Sequence, residues 1–155
     1  MSSKVVSTVV RRAVLSDVSS VAELFNGYRM FYEQPDDYAK CEQFLRERLE
    51  NEQSVVFLAE EEGEAKGFCQ MYPLFSSVRC RHTWLLNDLF VSADRRRTGV
   101  GGSLMQAAED HARNDGAAQI LLETAESNVP GQQLYESRGW ELETDVRHYA
   151  LTFEA

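Results

Sequence analysis

The sequence predicts an α/β fold of the mixed α+β kind: a central twisted sheet of about seven strands with helices on both faces. Three features of the sequence lead there. Short runs rich in Val, Ile, Leu and aromatic residues recur along the chain. Between them lie stretches whose apolar residues repeat at three- and four-residue steps, the period of a helix with one buried face. One such helical stretch joins two apolar runs, and a crossover of that kind sets its two strands side by side and parallel.

The elements follow in the order β-α-α-β-β-β-α-β-α-β-β. Residues 9–14 open with β-branched side chains and read as the first strand. Ser16 or Asp17 caps the next helix, where Val18, Val21, Leu24, Phe25, Tyr28, Phe31 and Tyr32 share one face. Pro35, Asp36 and Asp37 end that helix and start a second, with Phe44, Leu45 and Leu49 on its apolar side. Residues 55–60 and 65–74 are two strands joined by a turn at Glu62-Gly63-Glu64, with Gly67 as a weak point or bulge. A turn at 76–79 leads into a long strand, 82–91. After a polar turn, residues 99–114 form a helix with Leu104, Met105, Ala108 and Ala112 inside and Gly116 at its C-terminal end. Residues 119–124 are a buried strand, parallel to 82–91. Residues 130–138 are helical, with Pro130 in the first turn and Gly139 past the last. Two strands, 140–143 and 147–153, close the sheet.

With 155 residues and no linker-like tract, one domain spanning 1–155 is expected. The net charge of −9 disfavours nucleic acid and anionic membranes as partners and favours a cationic one. No apolar run approaches the ~20 residues that cross a bilayer. The N-terminus is too polar for a secretory signal, so a cytoplasmic location is expected. Cys41, Cys69 and Cys80 form no C-x-x-C pair, and His82, His111 and His148 are dispersed. Neither a disulfide framework nor a metal site is expected.

The chemistry concentrates in residues 89–104, a strand, then Arg95-Arg96-Arg97, then Gly99, Gly101 and Gly102 leading a helix. The first N–H groups of a helix lack internal partners and sit at the positive end of its dipole, so they attract anions. Glycines let a phosphate approach closely, and arginines add charge. A P-loop needs a lysine after the glycines, and none is present. A dinucleotide fingerprint needs a third glycine where Leu104 stands. The pattern R/Q-x-x-G-x-G/A is met in full by Arg96, Gly99 and Gly101.

With that pattern the chain resembles the GNAT superfamily of N-acetyltransferases. A second match strengthens the resemblance. The family's N-x-x-A-x-x-L-Y-E-x-x-G-F is met by Asn128, Leu134, Tyr135, Glu136 and Gly139, with Gly131 in place of alanine and Trp140 in place of phenylalanine. Leu89-Phe90-Val91 is similar to the strand that precedes the basic turn in the family. The resemblance implies acetyl-CoA as co-substrate. Its pyrophosphate would lie on the backbone amides of Arg97, Thr98, Gly99, Val100, Gly101 and Gly102, with Ser103 in the same turn and charge from Arg96 and Arg97. Its pantetheine would pair with the backbone of Leu89, Phe90 and Val91, where the strands around Val91 and Thr124 splay apart in this family. Asn128 would bind the same arm. The amide of Phe90 or Val91 would polarise the acetyl carbonyl.

The reaction implied is attack of a neutral amine on a thioester in a ternary complex. Tyr135 holds the family's proton-donor position for the leaving thiolate. Asp88 and Glu123, on the central strands, are the candidate bases, directly or through water, and alternation leaves open which way each faces. The acceptor face is assigned to Tyr28, Phe31, Tyr32 and Glu33, with Asp36 and Asp37 nearby, aromatic rings and carboxylates that suit an ammonium group. That segment resembles the polyamine, amino-acid and histone-tail subgroup. The expected acceptor is a small amine, polyamine or amino acid ahead of a peptide lysine, and the expected assembly is a homodimer. The alternatives are a non-catalytic acyl-CoA-binding module on the same fold and, more distantly, a nucleotide-binding domain.

Overall fold

A computed structural model describes residues 7–154. The chain divides after Leu122 into two compact units. The first contains β1 (Thr8–Arg12), a 3-10 turn (Leu15–Asp17), α1 (Val18–Phe31), α2 (Tyr38–Glu50), β2 (Val55–Glu61), β3 (Glu64–Ser76), β4 (Arg81–Val91), a second 3-10 turn (Ala93–Arg95), α3 (Val100–Asn114) and β5 (Ile120–Leu121). The sheet runs β1-β2-β3-β4-β5. The first three pairings are antiparallel, and β4 with β5 is parallel. The crossover through α3 thus joins parallel neighbours, as the sequence predicts.

The helix starts have local causes. Asp37 caps α2, its carboxylate accepting from the Lys40 N–H at 3.1 Å. Asp17 stands at the N-cap position of α1, but its Oδ2 accepts from the Val14 N–H at 2.8 Å, and Arg11 grips both its oxygens. It therefore fixes the preceding turn rather than capping α1 itself. Asn26, buried in α1, donates from Nδ2 to Asp36 (2.8 Å) and accepts from the Asp37 N–H (3.0 Å), which pins the α1–α2 loop.

One face of the sheet packs on α1 and α2. Its core joins Val18, Val21, Ala22 and Phe25 of α1 to Cys41 and Leu45 of α2 and to Val56, Leu58 and Phe68 of the sheet. The other face packs on α3 through Val100, Leu104, Met105, Ala108 and Ala112. Each fully buried Leu contributes roughly 2–3 kcal/mol, so the α3 face is a substantial part of the fold's stability.

Two irregularities shape the sheet. Ala59 pairs with Gly67 while Glu60 pairs with Ala65, leaving Lys66 as a surplus residue beside the expected weak point at Gly67. Gln70 pairs with Asp88 while Met71 pairs with Leu86, leaving Asn87 surplus in β4. The second one matters for the site. Trp84 stacks edge-on to His111 of α3, whereas Phe90 meets Tyr28 of α1. Simple alternation would put both on one side. Asn87 is taken up as a bulge, outside the alternation, so Asp88 and Phe90 lie on the α1 face opposite Gln70 and Phe68.

The second unit holds α4 (Val129–Ser137). Asn128 caps it, and Pro130 lies in its first turn, as predicted. Gly139 follows the helix, with the Gly139 and Trp140 N–H groups returning to Glu136 and Tyr135 carbonyls.

The expectation of about seven strands is corrected to five among the described residues. Residues 140–143 and 147–153 form no strand. Alternating apolar side chains mark a face, but a strand also needs a backbone neighbour in register. The fifth strand is likewise Ile120–Leu121 rather than 119–124, so Glu123 lies past it, not on a central strand.

Candidate active site

The basic turn is built as an anion cradle. Gly99 is the N-cap of α3 with φ +89, a left-handed conformation that disfavours any side chain. Arg97 also takes positive φ, at 64. Together they swing the chain so that α3 begins abruptly. Ser103 N–H is the first to close a helical bond, to the Gly99 carbonyl at 3.0 Å. The N–H groups of Val100, Gly101 and Gly102 precede it and have no intrahelical acceptor. The turn is braced from outside. Ser92 and Lys66 bond to Asp94 (2.7 and 3.0 Å), holding its carboxyl below the usual range, chiefly through the Ser92 hydroxyl and the Lys66 ammonium. Arg95 pairs with the buried Glu61, which also accepts from Thr8.

The strand leading into the cradle has a free edge. β4 pairs with β3 as far as Val91, but with β5 only at Trp84–Ile120 and Leu85–Leu121. From Leu86 to Val91 its second edge meets no strand among the described residues. Alternate N–H and C=O groups on such an edge suit an extended arm, although the Val91 carbonyl already accepts from Arg96.

Asp88 faces the α1 side and is 5% exposed. Its Oδ2 accepts from Gln70 Nε2 at 2.9 Å and its Oδ1 from Asn87 Nδ2 at 3.0 Å. The Tyr28 hydroxyl is a third hydrogen-bond partner. Gln70 is fully buried, and its Oε1 accepts from Ser54 at 2.9 Å. Burial pushes the Asp88 carboxyl above its usual range, against the three hydrogen bonds that favour its charge. A shift in that direction makes the carboxylate a stronger base than a solvent-exposed one.

The residues that the sequence assigns to the acceptor fall into two groups. Tyr28 packs edge-on to Tyr32 (5.1 Å), Phe68 (6.2 Å) and Phe90 (6.0 Å), and its hydroxyl belongs to the Asp88 cluster. Phe31 and Tyr32, in contact at 5.4 Å, are exposed at the end of α1, and Glu33 follows with φ 62. Asp36 and Asp37 are occupied by Asn26 and by the cap of α2. Arg96 does not point along the cradle. Its guanidinium lies 5.5 Å from the Phe31 ring and 5.6 Å from Phe90, and its Nε donates to the Val91 carbonyl at 3.2 Å. It ties the basic turn to the aromatic end of α1.

In the second unit, Tyr135 lies on α4 with its ring 6.3 Å from Trp140. Asn128 donates to Thr124 (2.9 Å) and accepts from the Gly131 N–H (3.2 Å), so its amide works as a helix cap. A side-chain carbon on Gly131 would come within 2.3 Å of that amide, which accounts for glycine at the motif's alanine position. Glu123 is paired with His148 at 3.7 Å. The sequence did not single out Gln70, Asn87 or Ser54. An amide inside an otherwise apolar strand, and an Asn-Asp pair in another, were the signals. No group of three or more His, Cys, Asp or Glu side chains suited to a metal occurs among the described residues, and no helix among them is long and apolar enough to cross a membrane.

Residues 18–140 match the model of the acetyltransferase (GNAT) family. The chain is 46% identical over 146 residues to the uncharacterized N-acetyltransferase YhfO of Bacillus subtilis, covering 94% of this chain and 98% of that protein. It is 27% identical over 137 residues to a probable acetyltransferase of Haemophilus influenzae, covering 88% and 92%. A crystal structure of a probable acetyltransferase superposes with a TM-score of 0.89 at 34% identity, covering 95% of this chain and 99% of that one. An aminoglycoside acetyltransferase from an uncultured soil metagenomic sample, solved with sisomicin, gives 0.82 at 18% identity, a likeness of fold. Motifs, cradle and matches agree: the chain is an enzyme of the GNAT family of acetyltransferases.

Proposed function

We propose that residues 1–155 act as a single domain that transfers an acetyl group from acetyl-CoA to a primary amine, favouring a small amine, polyamine or amino acid over a peptide lysine. The observation that carries this reading is the course of β4. One strand presents a free edge, delivers Asp88 to the α1 face and runs into the Gly99 cradle. Relatives named as N-acetyltransferases, in Bacillus subtilis and Sulfurisphaera tokodaii among others, support an amine acceptor.

The residues fit the co-substrate. The N–H groups of Val100, Gly101 and Gly102 hold its pyrophosphate, with Arg97, Thr98 and Ser103 around them, and the edge of Leu89, Phe90 and Val91 pairs with its pantetheine. Bound there, acetyl-CoA supplies an activated acetyl thioester. Asp88 takes the proton of the incoming ammonium through an intervening water, because its carboxylate is too buried to meet the amine itself. Glu123 is the second candidate for that proton. The amine nitrogen bonds to the carbonyl carbon, the carbon–sulfur bond breaks, the Tyr135 hydroxyl gives its proton to the thiolate, and the second proton, shed by the new amide nitrogen, passes through solvent and restores that hydroxyl. Phe31, Tyr32 and Glu33 receive the cationic end of the acceptor. The reading includes a homodimer and a cytoplasmic location.

The test is release of free thiol from acetyl-CoA against polyamines, amino acids, aminoglycosides and lysine peptides. Turnover with one class identifies the acceptor. Silence across all four, with acetyl-CoA binding intact by calorimetry, returns the chain to the non-catalytic alternative.

A further inference from the structure

Ser54, just before β2, forms with Gln70 of β3 and Asp88 of β4 a row of polar side chains, and all three are buried. Gln70 stands opposite Val56 on one side and Asp88 on the other, so the row lies across the strands. Its direction is set at the Asp88 end, since a serine hydroxyl can either donate or accept. The Ser54 hydroxyl donates to Gln70 Oε1, and Gln70 Nε2 donates to Asp88 Oδ2, both at 2.9 Å. Turning the amide over would set its oxygen against the carboxylate, and a buried acceptor facing an acceptor is strongly unfavourable. A leucine or methionine would fill the same space in an apolar sheet without needing partners. The amide therefore has a purpose tied to the carboxylate.

We propose that Gln70 is a positioning residue for acetyl transfer: braced by Ser54, it holds the Asp88 carboxylate in its charged, proton-accepting form and turned to the acceptor face. The inference rests on Asp88 being the base of the proposed reaction. Burial alone would drive Asp88 toward its neutral form, and a charge-assisted hydrogen bond is the opposing influence. The other titratable groups around it are Tyr28 from α1, and Tyr72 and Cys69 on β3, with Arg48 of α2 acting on Tyr72. Cys69 is turned away, bonded to the Leu104 carbonyl on the α3 side. Tyr72 and Cys69 are both held neutral by burial. Gln70 is thus one of three neutral donors to Asp88, and it is itself bonded to a further buried side chain, Ser54.

The experiment is the pH dependence of kcat/KM at saturating acetyl-CoA for the wild type, Gln70→Met, Ser54→Ala, Ser54→Thr and Asp88→Asn. Gln70→Met keeps the volume and removes the donor. Its acid limb should move to higher pH by about one unit, with up to about a tenfold loss of rate on the acid side. Ser54→Ala should move the limb the same way by less, and Ser54→Thr should restore it. The Kd for acetyl-CoA should be unchanged throughout. Limbs that superimpose on wild type in Gln70→Met and Ser54→Ala, with Asp88→Asn inactive, overturn the positioning role and leave the base standing. Full activity in Asp88→Asn removes the base and this inference with it. If Gln70→Met does not fold, the Ser54 pair decides alone.

Discussion

A side-chain carbon on Gly67 would stand 3.0 Å from the Phe90 carbonyl oxygen, and 3.1 and 3.3 Å from Leu104 and Val100 on α3. The missing side chain lets the first turns of α3 sit directly on β3 and β4. Gly67→Ala must push that helix start outward, and the anion cradle moves with it. We expect a loss of about 1–3 kcal/mol in urea unfolding together with weaker acetyl-CoA binding by calorimetry. Unaltered values of both would mean the packing gives way more easily than the geometry implies.

Tyr135→Phe removes one hydroxyl and keeps the ring that packs near Trp140. If that hydroxyl protonates the leaving thiolate, kcat falls by about 10²-fold or more, while the Kd for acetyl-CoA stays near wild type. Stopped-flow thiol release and calorimetry read the two separately. An unchanged kcat takes the role away from Tyr135.

Arg96→Ala removes a guanidinium shared between Phe31 and Phe90. Each cation–π contact at an exposed site contributes about 0.5–1 kcal/mol. The loss should fall on the acceptor, as a several-fold rise in its KM, because the side chain reaches toward α1. A rise confined to the Kd for acetyl-CoA would instead place Arg96 on the pyrophosphate.

Asp17 carries a pH dependence of stability. The Arg11 guanidinium, first of all, and the Val14 N–H hold its carboxyl below the ordinary value of 3.8. The charged form therefore stabilises the fold above that value, and the contribution is lost as pH falls through the lower folded one. Asp17→Asn should be less stable than wild type by about 0.5–1 kcal/mol at pH 7. The two should converge toward pH 2 in thermal unfolding.

What the sequence made legible was mostly local. Periodicity marked α1 and α3 nearly to their ends, and the Gly99 turn was visible because its conformation demands particular residues. The parallel placement of β5 followed from the crossover rule. Other features depend on partners distant in the chain. Nothing at Asn87 itself announces that it is surplus, since a bulge exists only relative to β3. Asp88 and Glu123 were equal candidates in the sequence, which did not show that pairing puts Asp88 on the α1 face and ends β5 before Glu123. Arg96 matched a cofactor motif, yet its side chain is taken up by two rings. The strands expected at 140–143 and 147–153 show the converse error, an alternating pattern read as a ladder.

Removing Asn87 would leave Asp88 directly after Leu86, in plain alternation against Gln70 and Met71. Every side chain beyond it would keep its present side. Only the backbone's course would change: the strand would lose its bend, and its outer rim would be free to zip further along β5. Curvature and chemical lettering are therefore independent in this strand, so a one-residue deletion would shorten the unpaired edge of β4 while leaving Asp88 on the side it now occupies.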